Sequence, residues 1–370
     1  MDNRMHIVSF NVPLPADYGG VIDVFYRIKA LAEAGVDIHL HCFTYGRTKN
    51  EELERYCSEV CYYDRDMSPL LMFRHTPFIV ISRRNEQLME KLAKDDFPIL
   101  LEGLHCCSVL DDRRFHNRKV MVRAHNIESD YYRMLAKAES KLIKKAYLKI
   151  ESAKIRRYEP ILSRASAVFA ISQSDKACLE RMGCSNVQVV GGANPYKEVK
   201  ITPGLGEYAL YHGNLSVPEN YKAAEYLIDN IFSTGEHRLV VAGYRPPARL
   251  IAKADRLSNV KVVESPDDSK MSDLIANAQV NVLVSNQPTG FKMKLLNALY
   301  NGRHCLVNST MVCGSGLESL CAVVEGDEEF RVRLNELMRR ELRPDDVEKR
   351  REVLSAYSRS TSVNKIIDQL

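Results

Sequence analysis

Residues 208–242 read YALYHGNLSVPENYKAAEYLIDNIFSTGEHRLVVA, and the pattern of this stretch decides the fold. Two short apolar runs, 208–212 and 238–242, are typical of buried strands, and residues 218–231 between them have the spacing of an amphipathic helix. A strand, a helix and a strand in so few residues indicate a parallel sheet whose faces are covered by helices. The stretch therefore predicts a doubly wound α/β domain.

The same alternation extends in both directions from this stretch. Downstream, it predicts strands at 260–263, 280–284 and 305–307 and helices at 249–257, 269–277 and 292–300. Upstream, it predicts strands at 6–10, 37–42, 98–102, 120–123, 167–171 and 187–190, with a helix at 21–34. The apolar run 77–81 also suits a buried strand. The chain is therefore expected to contain two Rossmann-like, doubly wound parallel-sheet domains.

A segment rich in glycine and proline, 191–206, interrupts the alternation and has the composition of an interdomain linker. We therefore predict an N-terminal domain at 1–195, a second domain at 207–345, and C-terminal helices at 346–370 that pack back toward the first domain. Ligands of doubly wound sheets bind at the carboxyl ends of the strands. Two such domains facing each other are expected to hold their ligands in the cleft between them.

Composition excludes several classes of protein. The chain has 52 basic and 48 acidic residues, and this small excess gives no indication of a nucleic-acid partner. No apolar run approaches the roughly 18 residues of a membrane span, and the first residues lack the apolar core of a signal peptide. The ten cysteines form no C-x-x-C pair, which favours reduced thiols over a structural zinc site. A cytoplasmic protein is expected.

Several catalytic motifs are missing from the sequence. No G-x-G-x-x-G follows a predicted strand, and G-x-x-x-x-G-K-[ST], H-E-x-x-H and G-x-S-x-G do not occur. These absences disfavour dinucleotide-dependent dehydrogenases, P-loop ATPases, zinc proteases and α/β-hydrolases.

Four loops at predicted strand ends carry the remaining candidates. Gly19 and Gly20 precede a helix, where a close backbone approach and the helix N-terminus suit an anion, although on this motif alone a tight turn is the more common explanation. His125 follows the strand 120–123 in the segment Arg-Ala-His-Asn-Ile-Glu. Gly213 follows the strand 208–212. Two lysines begin the helix after the strand 280–284, against the helix dipole, which indicates a bound phosphate or a frayed surface turn.

The order of these motifs resembles the retaining, nucleotide-sugar-dependent glycosyltransferases of family 4, which have the GT-B fold. The resemblance covers nearly the whole chain and rests on Gly19-Gly20, the R-x-H-N-x-E segment at 123–128, Gly213, and GFKMKLLNAL at 290–299. It implies an acceptor bound mainly by the N-terminal domain and a nucleotide sugar bound mainly by the C-terminal one. It also implies transfer with retention of configuration, with the nucleotide sugar as co-substrate and without a metal or another cofactor.

The resemblance assigns roles residue by residue. His125 corresponds to a histidine near the donor sugar, and Lys292 is the proposed partner of the diphosphate, so these two are the candidate catalytic residues. The candidate donor- and phosphate-binding residues are Gly19, Gly20, Gly213, Asn214, Arg245, Thr289, Gly290, Lys294 and Asn297.

Four charged positions of the family are neutral in this chain. Asn214 and Asn220 stand where the family has an arginine and a lysine, and Thr289 and Asn297 stand where it has two glutamates. Lys292 and Lys294 are expected to supply the missing positive charge.

A basic segment at 131–159, predicted as one long helix, holds nine basic and three acidic residues. Leu135, Leu142, Ala146 and Ile150 are expected to form its buried stripe. Its basic face suits either solvent or the anionic lipid surface that a lipid-linked glycan acceptor would require.

Three other interpretations remain open. A nucleotide-sugar epimerase shares the twin-domain architecture and acts without an acceptor. A non-catalytic partner or glycan-binding protein would explain the loss of the two glutamates. The sequence Asp64-Arg-Asp66 matches the D-x-D metal motif of single-domain transferases, but that class leaves the second α/β half unexplained.

Overall fold

The computed structural model describes residues 3–139, 141–196, 198–286, 293–313, 315–355, 357 and 359–370. These residues form two compact units. The first unit contains the described residues up to Pro195 and those that follow Ser355, and the second contains those from Tyr196 to Ser355. The segment predicted as 346–370 is therefore divided, because its first ten residues belong to the second unit.

The first unit is built on a parallel sheet of seven strands in the order β3-β2-β1-β4-β5-β6-β7. The strands are β1 Arg4–Ser9, β2 Asp37–Thr44, β3 Glu59–Asp64, β4 Ile99–Glu102, β5 Val120–Arg123, β6 Ala167–Ala170 and β7 Val187–Val189. The first strand pairs with both β2 and β4, so the winding reverses between β1 and β4. At such a switch point the loops diverge and leave room for a ligand at the carboxyl edge.

Helices cover both faces of this sheet. They are α1 Gly19–Glu33, α2 Phe78–Ile81, α3 Glu86–Leu92, α4 Glu128–Ala138, α5 Leu142–Tyr158 and α6 Gln173–Arg181. Short 3₁₀ helices lie at Glu51–Arg55, Pro69–Phe73, Leu104–Asp111, Arg113–Phe115 and Glu159–Arg164. A C-terminal helix, Arg359–Ile367, also belongs to this unit, where Val363 and Ile366 enter the core formed with α1. Apolar residues fill both faces of the central strands, as a doubly covered parallel sheet requires.

The second unit repeats the plan with six parallel strands in the order β10-β9-β8-β11-β12-β13. The strands are β8 Ala209–His212, β9 Leu239–Gly243, β10 Val260–Glu264, β11 Val280–Leu283, β12 His304–Asn308 and β13 Ala322–Val324. The helices are α7 Pro218–Tyr226, α8 Ala248–Ala254, α9 Asp268–Asn277, α10 Met293–Asn301, α11 Ser309–Val312, α12 Asp327–Arg339 and α13 Pro344–Ser355. The C-terminal helix Arg359–Ile367 of the first unit is α14. A π-helical turn, Leu227–Ile231, continues α7, and a 3₁₀ turn lies at Glu318–Leu320. The winding reverses at β8, which pairs with β9 and β11.

The apolar run at 77–81 is helical, so the prediction of a strand there is wrong. The carbonyl of Pro77 accepts hydrogen bonds from Val80 and Ile81, which closes a single helical turn. So short a run has no periodicity that distinguishes a buried strand from a buried turn of helix.

The predicted long helix at 131–159 is two helices, and its predicted buried stripe is also wrong. The backbone leaves the helical conformation at Glu139, whose carboxylate accepts a hydrogen bond from the Lys141 N–H. The helices α4 and α5 pack antiparallel, since Ser129 near the start of α4 donates to Glu159 just beyond α5. Because α4 covers a different side of α5 from the one predicted, Leu142, Ala146 and Ile150 are exposed. Across the described residues, no helix is both long enough and apolar enough to cross a membrane.

Candidate active site

In the first unit, the loop after β1 leads into the N-terminus of α1. The helix begins at Gly19 and Gly20, and its N-cap residue Tyr18 makes no side-chain capping bond. A Cβ at Gly20 would lie 3.1 Å from Cζ of Phe10, so this turn is tight. The first N–H groups of α1 are therefore not capped by a side chain, which suits an anionic ligand.

His125 lies in the loop after β5 at the same edge of the sheet. Its Nε2 is 2.8 Å from Oε2 of Glu102, the last residue of β4, and its Nδ1 is 3.3 Å from Oδ2 of Asp23 on α1. The Phe10 ring packs edge-on against the imidazole at 5.5 Å. Because a carboxylate faces each ring nitrogen, the structure fixes the orientation of the ring.

Two buried arginines balance these carboxylates. Arg27 Nε donates to Glu102 Oε1 at 2.8 Å and also pairs with Asp23, one turn away on α1. Arg123 Nε donates to Asp23 Oδ2 at 3.0 Å. Burial alone would raise the pKa of Asp23, but the attraction of Arg123, Arg27 and His125 outweighs it and lowers that pKa. The pKa of Glu102 is lowered in the same way, mainly by Arg27. Both carboxyl groups are therefore ionised at neutral pH.

Asp23, Glu102 and His125 also meet the distance requirement for a metal site. One ligand atom from each lies within 4.8 Å of the others, and within the described ranges this is the one such group of three. The two guanidinium groups on the same carboxylates already provide the positive charge that a metal ion would supply, so the donor set is a poor fit for a cation. Asp64 and Asp66 of the D-x-D sequence instead accept local hydrogen bonds from Thr44 and Ser68.

In the second unit, the equivalent edge is formed by the ends of β8 and β9. A Cβ at Gly243 would lie 1.8 Å from the carbonyl oxygen of Gly213, so the two glycines permit the strand ends to approach each other. The carbonyl of Asn214 accepts a hydrogen bond from Asn220 Nδ2, and Asn220 Oδ1 accepts one from Lys294 Nζ at 3.2 Å. A lysine amine from α10 therefore lies beside the asparagine that stands where the resemblance expects a lysine.

The remaining predicted residues are less closely grouped. Arg245 follows β9 in a left-handed conformation, φ 44°, and its guanidinium is exposed above the Tyr244 ring. Asn297 lies one turn after Lys294 on α10 and accepts a hydrogen bond from Asn301. Thr289, Gly290 and Lys292 lie outside the described residues.

Sequence reasoning missed the partners of His125. Asp23 and Arg27 are four residues apart on the otherwise apolar face of α1, and Glu102 ends a fully buried strand. The sequence did contain one signal of these partners: charged residues stand at positions that the apolar periodicity assigns to the core. A buried charge needs an opposite charge nearby. The sequence could not indicate which charges pair, since the partners come from different elements.

Comparisons with known proteins concern the family and the fold. Residues 206–339 match the family described as "Glycosyl transferases group 1". An uncharacterised 44.6 kDa protein of the cps region of Klebsiella pneumoniae is 22% identical over 323 residues, which are 85% of this chain and 78% of that protein.

Solved structures show the same architecture. The lipopolysaccharide outer core galactosyltransferase WaaB in its apo form superposes with a TM-score of 0.64 at 13% identity, covering 99% of this chain and 98% of that chain. HepE of Anabaena in complex with UDP gives a TM-score of 0.66 at 14% identity, again covering 99% and 98%. The predicted fold class is therefore confirmed: the chain has the GT-B fold, and its residues 206–339 match the model of the group 1 glycosyl transferases.

Proposed function

We propose that the protein transfers a sugar from a nucleotide-sugar donor to a glycan or a lipid-linked glycan, with retention of anomeric configuration. The observation that carries this proposal is the pair of glycine-lined sheet edges, one bearing the fixed imidazole of His125 and the other the amine of Lys294. Such edges suit a ligand with a sugar and a diphosphate, because backbone N–H groups and a lysine can bind phosphate while an oriented imidazole contacts the sugar.

The chemistry requires stabilisation of separated charge. As the nucleoside diphosphate leaves, negative charge gathers on its phosphate oxygens and the sugar becomes oxocarbenium-like. Lys294, with Lys292 and Arg245, is proposed to bind the diphosphate, and His125 is proposed to orient the donor sugar. This assignment uses no metal and no cofactor besides the nucleotide sugar.

A panel of donors tests the proposal. UDP-, GDP-, TDP- and ADP-sugars are added to the protein, and the melting temperature is measured; a ligand at 100 times its Kd stabilises the folded state by about 2.7 kcal/mol. The stabilising donor is then incubated with glycan acceptors, and the anomeric configuration of the product is determined by NMR. We expect a product with the configuration of the donor.

Two results of this panel would contradict the proposal. A changed sugar in the absence of acceptor would assign the protein as an epimerase. Stabilisation by none of the donors would favour a non-catalytic partner or glycan-binding protein.

A lipid-linked acceptor also requires a membrane surface, and α5 has a face that suits one. We propose that α5 lies in the interface of an anionic membrane, at the inner face of the cell membrane of a cytoplasmic enzyme. At 100° per residue, Leu142, Ile143 and Ile150 share one side of the helix, and these side chains are 81%, 89% and 57% exposed. The side chains buried on the opposite side are Leu148, Glu151 and Ile155.

Basic residues flank this apolar face. Lys145, Lys149 and Arg156 follow one border of the face, and Lys154, whose amine pairs with Glu151, follows the other. In the part of the chain that the structure describes, no carboxylate lies within ion-pair distance of Lys145 or Lys149. An apolar face with basic borders is the pattern of a helix that inserts shallowly into an anionic interface. Two copies of the chain would instead bring like charges together.

The apolar surface continues onto the neighbouring 3₁₀ turn Pro69–Phe73. Lys154 Nζ donates to the carbonyl of Met72 at 2.5 Å, which holds this turn beside α5. Leu70 and Phe73 in the turn are also exposed. The position of the turn gives the proposed surface a second point of insertion.

Vesicle flotation tests this surface. We expect the protein to float with vesicles containing phosphatidylglycerol and not with neutral ones, and the double variant Ile143→Ser/Ile150→Ser to bind at least tenfold more weakly, because insertion of apolar side chains drives such binding. Leu205→Ser/Val332→Ser, at two exposed apolar positions of the second unit, is the matched control. Equal flotation of both double variants would contradict the proposed membrane surface. So would a wild-type protein that is dimeric, if Ile143→Ser/Ile150→Ser removed the dimer and left lipid binding unchanged.

A further inference from the structure

Two arginines of the first unit, one buried and one half-buried, have no acidic partner among the described residues. Arg83 is 5% exposed; its Nε donates to the carbonyl of Phe10 at 2.9 Å and its Nη1 to that of Ile79 at 2.8 Å. Arg65 is half-buried, and its Nε donates to Ser82 Oγ at 2.9 Å. Among the residues that the structure describes, neither guanidinium has a carboxylate oxygen within 4.0 Å.

These arginines lie at the edge of the sheet that holds His125. Phe10, which accepts from Arg83, follows β1, and Arg65 follows β3. His105 follows β4, and its ring lies 5.3 Å from that of Phe10. The Nδ1 atom of His105 is buried and has no hydrogen-bond partner in the described part of the chain. Arg65, Arg83 and His105 therefore lie at the same sheet edge as His125, and the charges of both arginines act on the His105 imidazole.

The electrostatics of this cluster are unfavourable in the absence of an anion. Burial, and then the charge of Arg65, lowers the pKa of Arg83 to about 10. Burial, and then the charge of Arg83, lowers the pKa of His105 well below its ordinary value. Glu128 responds to the charge of Arg83, but burial raises the pKa of this carboxyl to about 7, so its negative charge is incomplete at neutral pH. A buried unpaired charge is costly, and the usual remedy is an opposite charge.

The same unit provides the comparison. Arg27 and Arg123 are also buried and lie close together, and Asp23 and Glu102 neutralise them. Arg83 is likewise buried and Arg65 is half-buried, but among the described residues no carboxylate pairs with either. This contrast favours an anionic ligand as the source of the missing negative charge.

We propose that Arg65, Arg83 and His105 bind an anionic group, a phosphate or a carboxylate, carried by the acceptor. Assigning the anion to the acceptor rests on the proposed sugar transfer, whereas binding of the anion does not. The proposed function already assigns the donor diphosphate to the second unit, where Lys294 Nζ donates to Asn220. Arginine suits this role, because its planar fork binds phosphate and carboxylate with two parallel hydrogen bonds.

Binding of inorganic phosphate to the full chain, measured by calorimetry, tests the site. We expect Arg65→Gln and Arg83→Gln each to weaken phosphate binding at least tenfold, as loss of a charge-assisted hydrogen bond does. Arg84→Gln is the matched control, since Arg84 is adjacent in sequence and exposed. Because Arg83 also holds two carbonyls, Arg65→Gln carries the test if Arg83→Gln fails to fold. Unchanged phosphate affinity in Arg65→Gln would overturn the site.

A second measurement shows whether the arginines bind an anion of the acceptor or the diphosphate of the donor. Binding of UDP, GDP, TDP and ADP is compared in the wild-type protein and in Arg65→Gln, and we expect the affinity of the nucleotide that binds to be unchanged. A loss as large as that for phosphate would assign the arginines to the donor diphosphate and overturn the acceptor assignment. Phosphate binding that depends on Arg65 in a protein without transferase activity would sustain the site while refuting the proposed function.

Discussion

The Nε2 atom of His125 lies 2.8 Å from Oε2 of Glu102, and both side chains are buried at the carboxyl edge of the first sheet. Glu102 also accepts from Arg27, so a single carboxylate orients the imidazole and neutralises a buried guanidinium. The imidazole is therefore held by the core of the domain rather than by a loop. This arrangement gives His125 the rigidity that its proposed role in orienting a donor sugar requires.

Glu102→Gln is expected to lower the free energy of unfolding by about 3 kcal/mol, because it removes one partner of a buried ion pair and leaves Arg27 with one carboxylate fewer. Urea denaturation measures the loss. Glu90→Gln, at an exposed position of α3, should change the free energy of unfolding by less than about 0.5 kcal/mol. A loss no larger in Glu102→Gln than in Glu90→Gln would show that the network does not stabilise the fold.

Replacement of the His125 imidazole distinguishes a role in orienting the donor sugar from a role in binding the nucleoside diphosphate. We expect His125→Ala to lower kcat for sugar transfer at least tenfold and to leave the affinity for the nucleoside diphosphate unchanged, because the ring lies in the first unit and is proposed to contact the sugar. Steady-state kinetics with the active donor, and calorimetry with its nucleotide, measure the two effects. His116→Ala, at an exposed histidine of the same unit, serves as the control. A normal kcat in His125→Ala would remove this residue from the catalytic machinery.

Lys294 gives a test in the second unit. Its Nζ lies 5.1 Å from the centre of the Tyr211 ring and donates to Asn220 Oδ1. We expect Lys294→Gln to weaken nucleoside-diphosphate binding about tenfold, because a cation–phosphate contact is lost. Lys270→Gln, at an exposed lysine of α9, should bind as the wild type does. Similar affinities of the two variants would indicate that Lys294 supports the Gly213 loop only.

The glycine contact between β8 and β9 predicts a larger structural effect. A Cβ at Gly243 would overlap the Gly213 carbonyl, a backbone atom with little freedom to move. We therefore expect Gly243→Ala to lower the free energy of unfolding by about 2 kcal/mol or more and to abolish nucleotide binding. Gly235→Ala has a left-handed backbone, φ 76°, but open space around it, so it should cost about 1 kcal/mol and leave binding intact. If both variants bound nucleotide equally well, the contact between Gly213 and Gly243 would not be part of the nucleotide site.

The sequence predicted the regular parts of the fold because their burial is periodic. The helix at 218–231 and the strands on either side of it were correct, since each apolar side chain points to the same sheet. The strand β3 was missed because its side chains are only half-buried, so its apolar signal is weak. The break at Glu139 depends on a local hydrogen bond and on the packing of α4 against α5. The spacing of apolar residues gives no information about either.

The sequence predicted which residues follow strand ends at the candidate site. It did not predict which side chains from other elements pair with them. His125 and Gly213 follow strands, and this alone places them at carboxyl edges. The residues that hold His125 and the unpaired Arg83 come from elements far apart in sequence, and their meeting is a consequence of the strand order. A single sequence provides no measure of that order beyond the general rules of α/β folds.

A buried chain of histidines predicts how stability depends on pH. His6 and His41 share a hydrogen bond of 2.9 Å, and His41 is also within 2.9 Å of the Tyr63 hydroxyl. Burial, and then the charge of His6, lowers the pKa of His41 to about 3. In the unfolded chain a histidine titrates near its ordinary value of about 6.5. Between these two values the unfolded state binds more protons than the folded state, so stability falls as the pH is lowered through this range.

We expect the free energy of unfolding to decrease by about 1.4 kcal/mol per pH unit for His41 alone once the pH is well below 6.5. Urea denaturation at pH values from about 6.5 to 5 measures the slope, in a range where most carboxyl groups stay ionised. His41→Asn should be less stable at pH 7, because it disturbs the hydrogen bonds to His6 and Tyr63, yet its slope should be shallower by about 1 kcal/mol per pH unit. His116→Asn should keep the wild-type slope, and a wild-type slope in His41→Asn would mean that His41 is not the group that titrates.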